Sequence, residues 1–340
     1  MRIERLHPDE LPALDAFFDL LALGMPQANL KQFSSPRLVE GDIEVVTFVA
    51  RDSDRIVGTI GWLRTPLLLA GQRTRALWPI NFYVHPEYRG LGLGKNMLDT
   101  MKGDKSLMIV LGGTDSSIPL FEKMGAHLLG HLATCRWFFP NLSPGRLHDR
   151  LRAKARSFPP KQVGFRTGQG TVLASRTERP GAAGLDRGPA SDNTVPHGPS
   201  YLDYAFGGPL ASLFACYRVT VDGEWAGHFV LSPAADRRPF LAVEVMDLDA
   251  LPGQETAVLE AARRTAFRRA DIVRLRMSGR RFTSRFASLP GRSRIDEGAP
   301  FRAWFGEDLA EAVGQIDDWH LTYADHDEFR QRSHLQKWSN

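Results

Sequence analysis

Residues 81–95, NFYVHPEYRGLGLGK, constrain the fold more than any other part of this chain. A run of strand-forming residues at 76–84 (ALWPINFYV) ends there, a helical pattern spans 91–102, and Gly90, Gly92 and Gly94 stand at the junction. A strand fed into a helix through glycines leaves several backbone N–H groups with no intrahelical carbonyl to take them, and the helix dipole adds partial positive charge. Such a turn suits a phosphate. Glycines lack the Cβ atoms that would keep an anion off the backbone, while Arg89 and Lys95 can add charge.

Two nucleotide-binding patterns can be tested on the same residues. A P-loop needs Gly, four residues, then Gly-Lys-Ser/Thr, but Gly94-Lys95 is followed by Asn96 and position 89 is Arg. A dinucleotide fingerprint needs G-x-G-x-x-G with an acid about 20 residues later, whereas the spacing here is G-x-G-x-G. Neither fits.

The segment resembles the acyl-CoA-binding motif of the GCN5-related N-acetyltransferases, V-x-P-x-x-R-G-x-G-x-G ahead of a helix, through Val84, Pro86, Arg89, Gly90, Gly92 and Gly94. Residues 107–130, with Phe121-Glu122-Lys123-Met124-Gly125, resemble that family's second motif, a strand and a short helix closed by glycine. The resemblance covers residues 1 to about 140. It implies two neighbouring strands that splay apart to leave a slot for pantetheine, with the pyrophosphate on the amides of Leu91, Gly92, Leu93, Gly94 and Lys95. The pantetheine would pair like an added strand with the backbone at Phe82 to Val84. The thioester carbonyl would point to a backbone N–H near Tyr83, and Ser117, Phe121 and Lys123 of the second motif would complete the cofactor site. Acetyl-CoA or another acyl-CoA is the implied cosubstrate.

The chain departs from that family in two places. Members often carry a carboxylate base on the strand before the motif, and 76–84 holds no Asp or Glu; many use a second-motif Tyr as the acid, and Phe121 stands there. Substitutes are Tyr83 as proton donor, Glu44 as base, His85 for acid-base work near neutral pH, and Asn81 as a hydrogen-bonding group. Each has a plainer reading: core packing for Tyr83, a solvated edge for Glu44, a loop imidazole for His85 and a turn cap for Asn81.

Hairpin, strand, helix and strand occur twice along the chain. In the first half they are 43–51 with 55–63, 76–84, 91–102 and 107–112; in the second, 213–221 with 224–231, 240–248, 254–270 and 272–277. The second copy has no R-x-x-G-x-G before its helix and connects instead through Asp249-Ala250-Leu251-Pro252-Gly253. The expected fold class is therefore α/β (α+β): tandem acetyltransferase-like folds, each a mixed, mostly antiparallel sheet with flanking helices. Residues 1–142 form the acyl-CoA-binding domain, 143–166 a connector with an arginine-rich helix, and 167–340 a degenerate copy that shapes the acceptor pocket. Residues 176–199 read as loop.

At 340 residues, 43% hydrophobic and 24% charged, the chain has enough apolar material for two cores. A net charge of +4 permits an anionic ligand but is no nucleic-acid footprint. Cys135 and Cys216 are too few for a disulfide framework, and no stretch is long and apolar enough to span a bilayer, so a cytoplasmic protein is expected. His320, Asp325, His326 and Asp327 follow no metal-ligand spacing, and no metal is expected. Glu244 and Asp247 either meet an amine substrate or form structural ion pairs.

The function this points to is an acyl-CoA-dependent N-acyltransferase acting on a small-molecule amine, such as an amino sugar or secondary metabolite, by direct attack on the thioester. A protein amine as acceptor and a CoA-binding sensor without turnover are the alternatives. Transfer from aminoacyl-tRNA, known in other two-domain relatives of this fold, sits poorly with an intact CoA-type turn.

Overall fold

The computed structural model describes residues 1–20, 43–101, 107–113, 116–138, 159–184, 193–194, 197–234, 242–267, 272–277, 280–289, 292–305, 309–314 and 319–321. The first half begins with β1 (Arg2–Arg5) and α1 (Leu11–Leu20), then β2 (Glu44–Asp52), β3 (Arg55–Leu69) and β4 (Gln72–Val84). The last two are longer than their sequence patterns. Ala70 and Gly71 turn β3 directly into β4 at positive φ, which carries the ladder on to Leu69 and Gln72. After β4 come α2 (Leu93–Leu98), β5 (Leu107–Leu111), α3 (Ile118–Lys123) and β6 (His127–Phe138).

The second half opens with a hairpin of β7 (Gln162–Thr167) and β8 (Gly170–Arg176), followed by the two-residue β9 (Asn193–Thr194) and α4 (Pro199–Phe206). Residues 162–166, assigned above to the connector, are thus strand; its residues 143–158 lie outside the described set. Then β10 (Ala215–Val221), β11 (Glu224–Ala234), β12 (Ala242–Ala250), α5 (Glu255–Ala266) and β13 (Ile272–Met277) repeat the plan of β2 to β5. The chain continues through α6 (Arg280–Ser288), β14 (Arg292–Trp304), α7 (Ala310–Val313) and β15 (Trp319–His320).

The strands join in one mostly antiparallel sheet, ordered β1-β2-β3-β4-β5-β14-β6-β13-β12-β11-β10-β8-β7. The halves exchange strands at its centre. β14 of the second half lies between β5 and β6, with Trp304 opposite Met108, and β6 of the first half pairs with β13, Phe138 opposite Ile272.

Three apolar clusters follow from this exchange. Under α2 and α3, Trp62, Leu77, Met97 and Phe121 pack with Trp304, which arrives on β14. Under α5 and α6, Val258, Phe282 and Phe286 pack with Trp137, which arrives on β6. A third cluster is shared: Leu67, Trp78 and Ile109 of the first half meet Tyr201, Phe206 and Trp319 of the second. No described helix is long and apolar enough to cross a membrane.

Candidate functional site

β4 and β5 run parallel only at Ala76 opposite Leu107 and Leu77 opposite Met108. Among the described residues the β4–β5 ladder ends there, while β5 stays paired along its other edge with β14 as far as Leu111. The two strands therefore splay apart in the direction of the glycine turn. On its other side β4 stays paired with β3 but slips register: Gly61 faces Ile80, and Thr59 faces Tyr83. The slip is a bulge at Asn81, whose φ of +51° is unusual for a residue with a side chain and which is 8% exposed. Bulges re-aim the residues beyond them, here Phe82, Tyr83 and Val84 at the mouth of the splay.

His85 follows, its N–H donating to Val57 O at 2.8 Å, and residues Pro86 to Tyr88 make one 3-10 turn. Arg89 Nε donates back to Val84 O at 3.1 Å, fixing the bend. Gly90 and Gly92 have φ of +79° and +77°. A Cβ at either would meet nothing within 4 Å, so conformation, not crowding, demands glycine there. Gly94 differs. A Cβ on it would stand 3.2 Å from Phe82 Cζ and 3.3 Å from Leu120 Cδ2, so glycine lets α2 seat closely on β4 and α3.

The backbone ladder of α2 begins with Asn96 N–H donating to Gly92 O at 3.1 Å. The amides of Leu91, Gly92, Leu93, Gly94 and Lys95 precede that ladder, beside the open end of the splay. Leu93 is buried, while Leu91 is exposed at the tip of the turn. The Lys95 ammonium is engaged by Asp99 Oδ2 at 2.7 Å one helical turn on.

The second-motif residues border the same region. Ser117 is the residue just ahead of α3, and Lys123 lies exposed at its end. Phe121 is buried, its ring edge-on to Trp304 at 5.5 Å and tilted to Phe82 at 6.3 Å. Trp304 also donates through Nε1 to Met124 O at 3.0 Å, and Arg302 Nη2 stands 3.0 Å from Glu122 Oε1. Sequence reasoning missed both β14 residues, because nothing local marks a strand of the second half as the wall of a first-half site.

The four catalytic candidates do not assemble. Tyr83 and Asn81 share the bulge, with Tyr83 packed against Leu14, Phe17, Val49 and Ile56. His85 sits one turn further, its Nε2 3.3 Å from Arg55 Nη2 and its ring edge-on to Tyr88. Glu44 pairs directly across β2 and β3 with Arg64, Oε2 to Nη1 at 2.8 Å. Arg64 is five residues along β3 from Thr59, the partner of Tyr83, which at strand rise is about 16 Å.

In the second half the splay recurs without its turn. β12 and β13 pair in parallel from Ala242 opposite Ile272 to Val245 opposite Leu275, and β12 then runs on to Ala250 paired with β11. The connection to α5 carries positive φ only at Gly253. Asp247 and Glu244 are both buried on β12: Asp247 meets His197 and His228, and Glu244 lies 4.0 Å from Arg274 Nη1.

Residues 44–125 match the family profile of the acetyltransferase (GNAT) domain. Among solved structures, the chain is similar to a GCN5-related N-acetyltransferase from Kribbella flavida (TM-score 0.56, 13% identity, covering 92% of this chain and 73% of that one). It is also similar to a GCN5-related N-acetyltransferase from Anabaena variabilis (0.55, 13%, 89% and 72%) and to Eis1 from Mycobacterium abscessus (0.51, 15%, 88% and 72%). At these identities the likeness is one of fold. No curated protein matches the chain in sequence.

Proposed function

We propose, for a chain that carries an acetyltransferase (GNAT) domain, that it transfers a short acyl group, acetyl first among them, from CoA to the amine of a small molecule. The observation that supports this most is the coincidence of the splay between β4 and β5 with the turn at Arg89 to Gly94, where two glycines at positive φ present consecutive amides. In this reading the pyrophosphate takes the amides of 91–95. The pantetheine runs along Phe82 to Val84, past the end of the β4–β5 ladder at Leu77. The acyl carbonyl lies at the bulge by Asn81 and Tyr83, where a backbone N–H stabilises the oxyanion that forms when the amine attacks. Tyr83 then supplies the proton to the departing thiolate, since Phe121 has no hydroxyl.

Calorimetry with CoA and acetyl-CoA, followed by thiol release with amino sugars, amino acids and polyamines as acceptors, tests the proposal. Binding with turnover is the expected result. A second reading, a CoA-binding module without turnover, draws on the buried Phe121 and on a β4 that carries no carboxylate. Binding with silence across acyl lengths and acceptors would favour it, and no heat with either nucleotide would remove both.

A further inference from the structure

Three buried side chains of the second half lie outside everything the acyl-transfer reading uses. His228 comes from β11, Asp247 from β12 and His197 from the segment just ahead of α4, and they are 1%, 0% and 4% exposed. Nδ1 of His197 stands 2.9 Å from Oδ1 of Asp247, and Nε2 of His228 stands 3.0 Å from Oδ2 of the same carboxylate. One ligand atom from each of the three lies within 4.8 Å of the others.

The surroundings hold this set in place. The ring of His197 stacks on Tyr201 at 4.7 Å and 8°, and lies 5.9 Å from the ring of His320. His320 in turn stacks on Phe282 at 4.8 Å, with Nε2 3.0 Å from Leu248 O and 3.7 Å from Asp249 Oδ1. Asp249, like Asp247, is buried. Two carboxylates two residues apart on one strand therefore stand in a space closed to solvent, Asp247 Oδ1 accepting from Leu248 N–H and Asp249 Oδ1 from Ala250 N–H, both at 2.9 Å, and negative charge there needs such partners or a cation.

We propose that His197, His228 and Asp247 bind one divalent transition-metal ion of the zinc class. Two imidazole nitrogens and a carboxylate form a borderline-hard donor set, suited to zinc and its neighbours and unsuited to calcium or magnesium, which take oxygen ligands. Ligand atoms about 2.0–2.2 Å from zinc stand roughly 2.9–3.5 Å apart when the angle at the metal lies between square and tetrahedral. The two nitrogen-to-oxygen separations, one to each oxygen of Asp247, fall at the short end of that window, the ion would draw together a set that now lies within 4.8 Å, and its double charge balances Asp247 and Asp249. The ion would pin the segment that leads into α4 to the β11–β12 hairpin, a staple across the core shared by the two halves.

The test is elemental analysis of the full-length, tag-free protein together with cobalt(II) titration after metal removal. One zinc-class ion per chain, and visible absorption from cobalt bound by nitrogen and oxygen ligands, is the expected result. His228→Gln is expected to abolish both while leaving far-ultraviolet dichroism unchanged, and metal removal from the unaltered protein to lower its Tm. Protein that holds no ion and gives no cobalt absorption overturns the proposal, leaving a hydrogen-bonded His–Asp–His cluster only. An ion retained by a folded His228→Gln variant overturns it as well. Should that variant fail to fold, the cobalt spectrum of the unaltered chain decides alone. None of these readouts depends on acyl transfer.

Discussion

Tyr83 and Asp247 hold the same place in the two halves of the sheet: each is the first residue back in register after a bulge, Tyr83 opposite Thr59 on β3 and Asp247 opposite Val230 on β11. The next pairs correspond too, Val84 with Gly58 and Leu248 with Phe229. In the first half this place opens on the splay between β4 and β5. In the second it is closed over by His197 and His228, so a buried cluster stands at the position that opens on the splay in the first half.

Tyr83→Phe tests the proton-donor role with little disturbance of packing, since the ring that meets Leu14 and Phe17 is kept. A lost general acid is expected to lower kcat by about tenfold or more, with the KM for acetyl-CoA nearly unchanged. Steady-state kinetics decide, and a kcat equal to that of the unaltered enzyme would return Tyr83 to the core. Glu44→Gln breaks a partly exposed cross-strand ion pair and is expected to cost at most about 1 kcal/mol of stability.

Gly92→Val places a β-branched side chain at a φ of +77° in open space, so its whole effect passes through the backbone. Straightening the turn takes the amides of 91–95 out of line. Affinity for CoA, measured by calorimetry, is expected to fall more than about tenfold, with about 1–2 kcal/mol lost in stability. Gly94→Val acts differently, by pushing Phe82 and Leu120 away from α2, and is expected to cost more in Tm than Gly92→Val does.

The sequence made some of this legible because some of the determinants are local. Glycines at 90, 92 and 94 between a strand pattern and a helix pattern announce a turn of one kind, and the repeated hairpin, strand, helix and strand is visible in the periodicity alone. The exchange of β6 and β14 is not. It depends on Trp304 pairing with Met108 and Phe138 with Ile272, contacts between segments more than a hundred residues apart that no spacing encodes. His197 and His228 were hidden for the same reason, and Asp247, which did draw attention as an ion-pair or substrate residue, gives no sign in the sequence of its two histidine neighbours. The C-terminal residues that did draw attention, Asp325, His326 and Asp327, lie outside the described set, and His320 packs inside the core.

Cys135 is fully buried on β6, and burial pushes its thiol up to about 12. The folded protein therefore keeps this proton where an unfolded chain, titrating near the ordinary thiol value of about 8.5, gives it up. The stability this represents is complete below about pH 8.5 and is lost as the pH climbs towards 12, at up to about 1.4 kcal/mol per pH unit. Denaturant midpoints from pH 8 upward should show that decline, lessened in Cys135→Ala. A thiol reagent at neutral pH should label Cys135 only as fast as the protein unfolds.

The strand exchange makes its own demand on stability. Trp304→Ala removes the ring packed edge-on to Phe121 and the hydrogen bond to Met124 O, both in the first half, by altering a residue of the second. A loss of about 3–5 kcal/mol is expected, typical of a buried Trp cut to Ala. Because β14 is clamped between β5 and β6, the loss should appear as one cooperative transition at lower temperature, not as early melting of one half. Residues 1–142 expressed alone would leave β5 and β6 with bare edges where β14 lies in the full chain. Such a fragment should aggregate, and a soluble fragment that binds CoA would show that the first half folds without the borrowed strand.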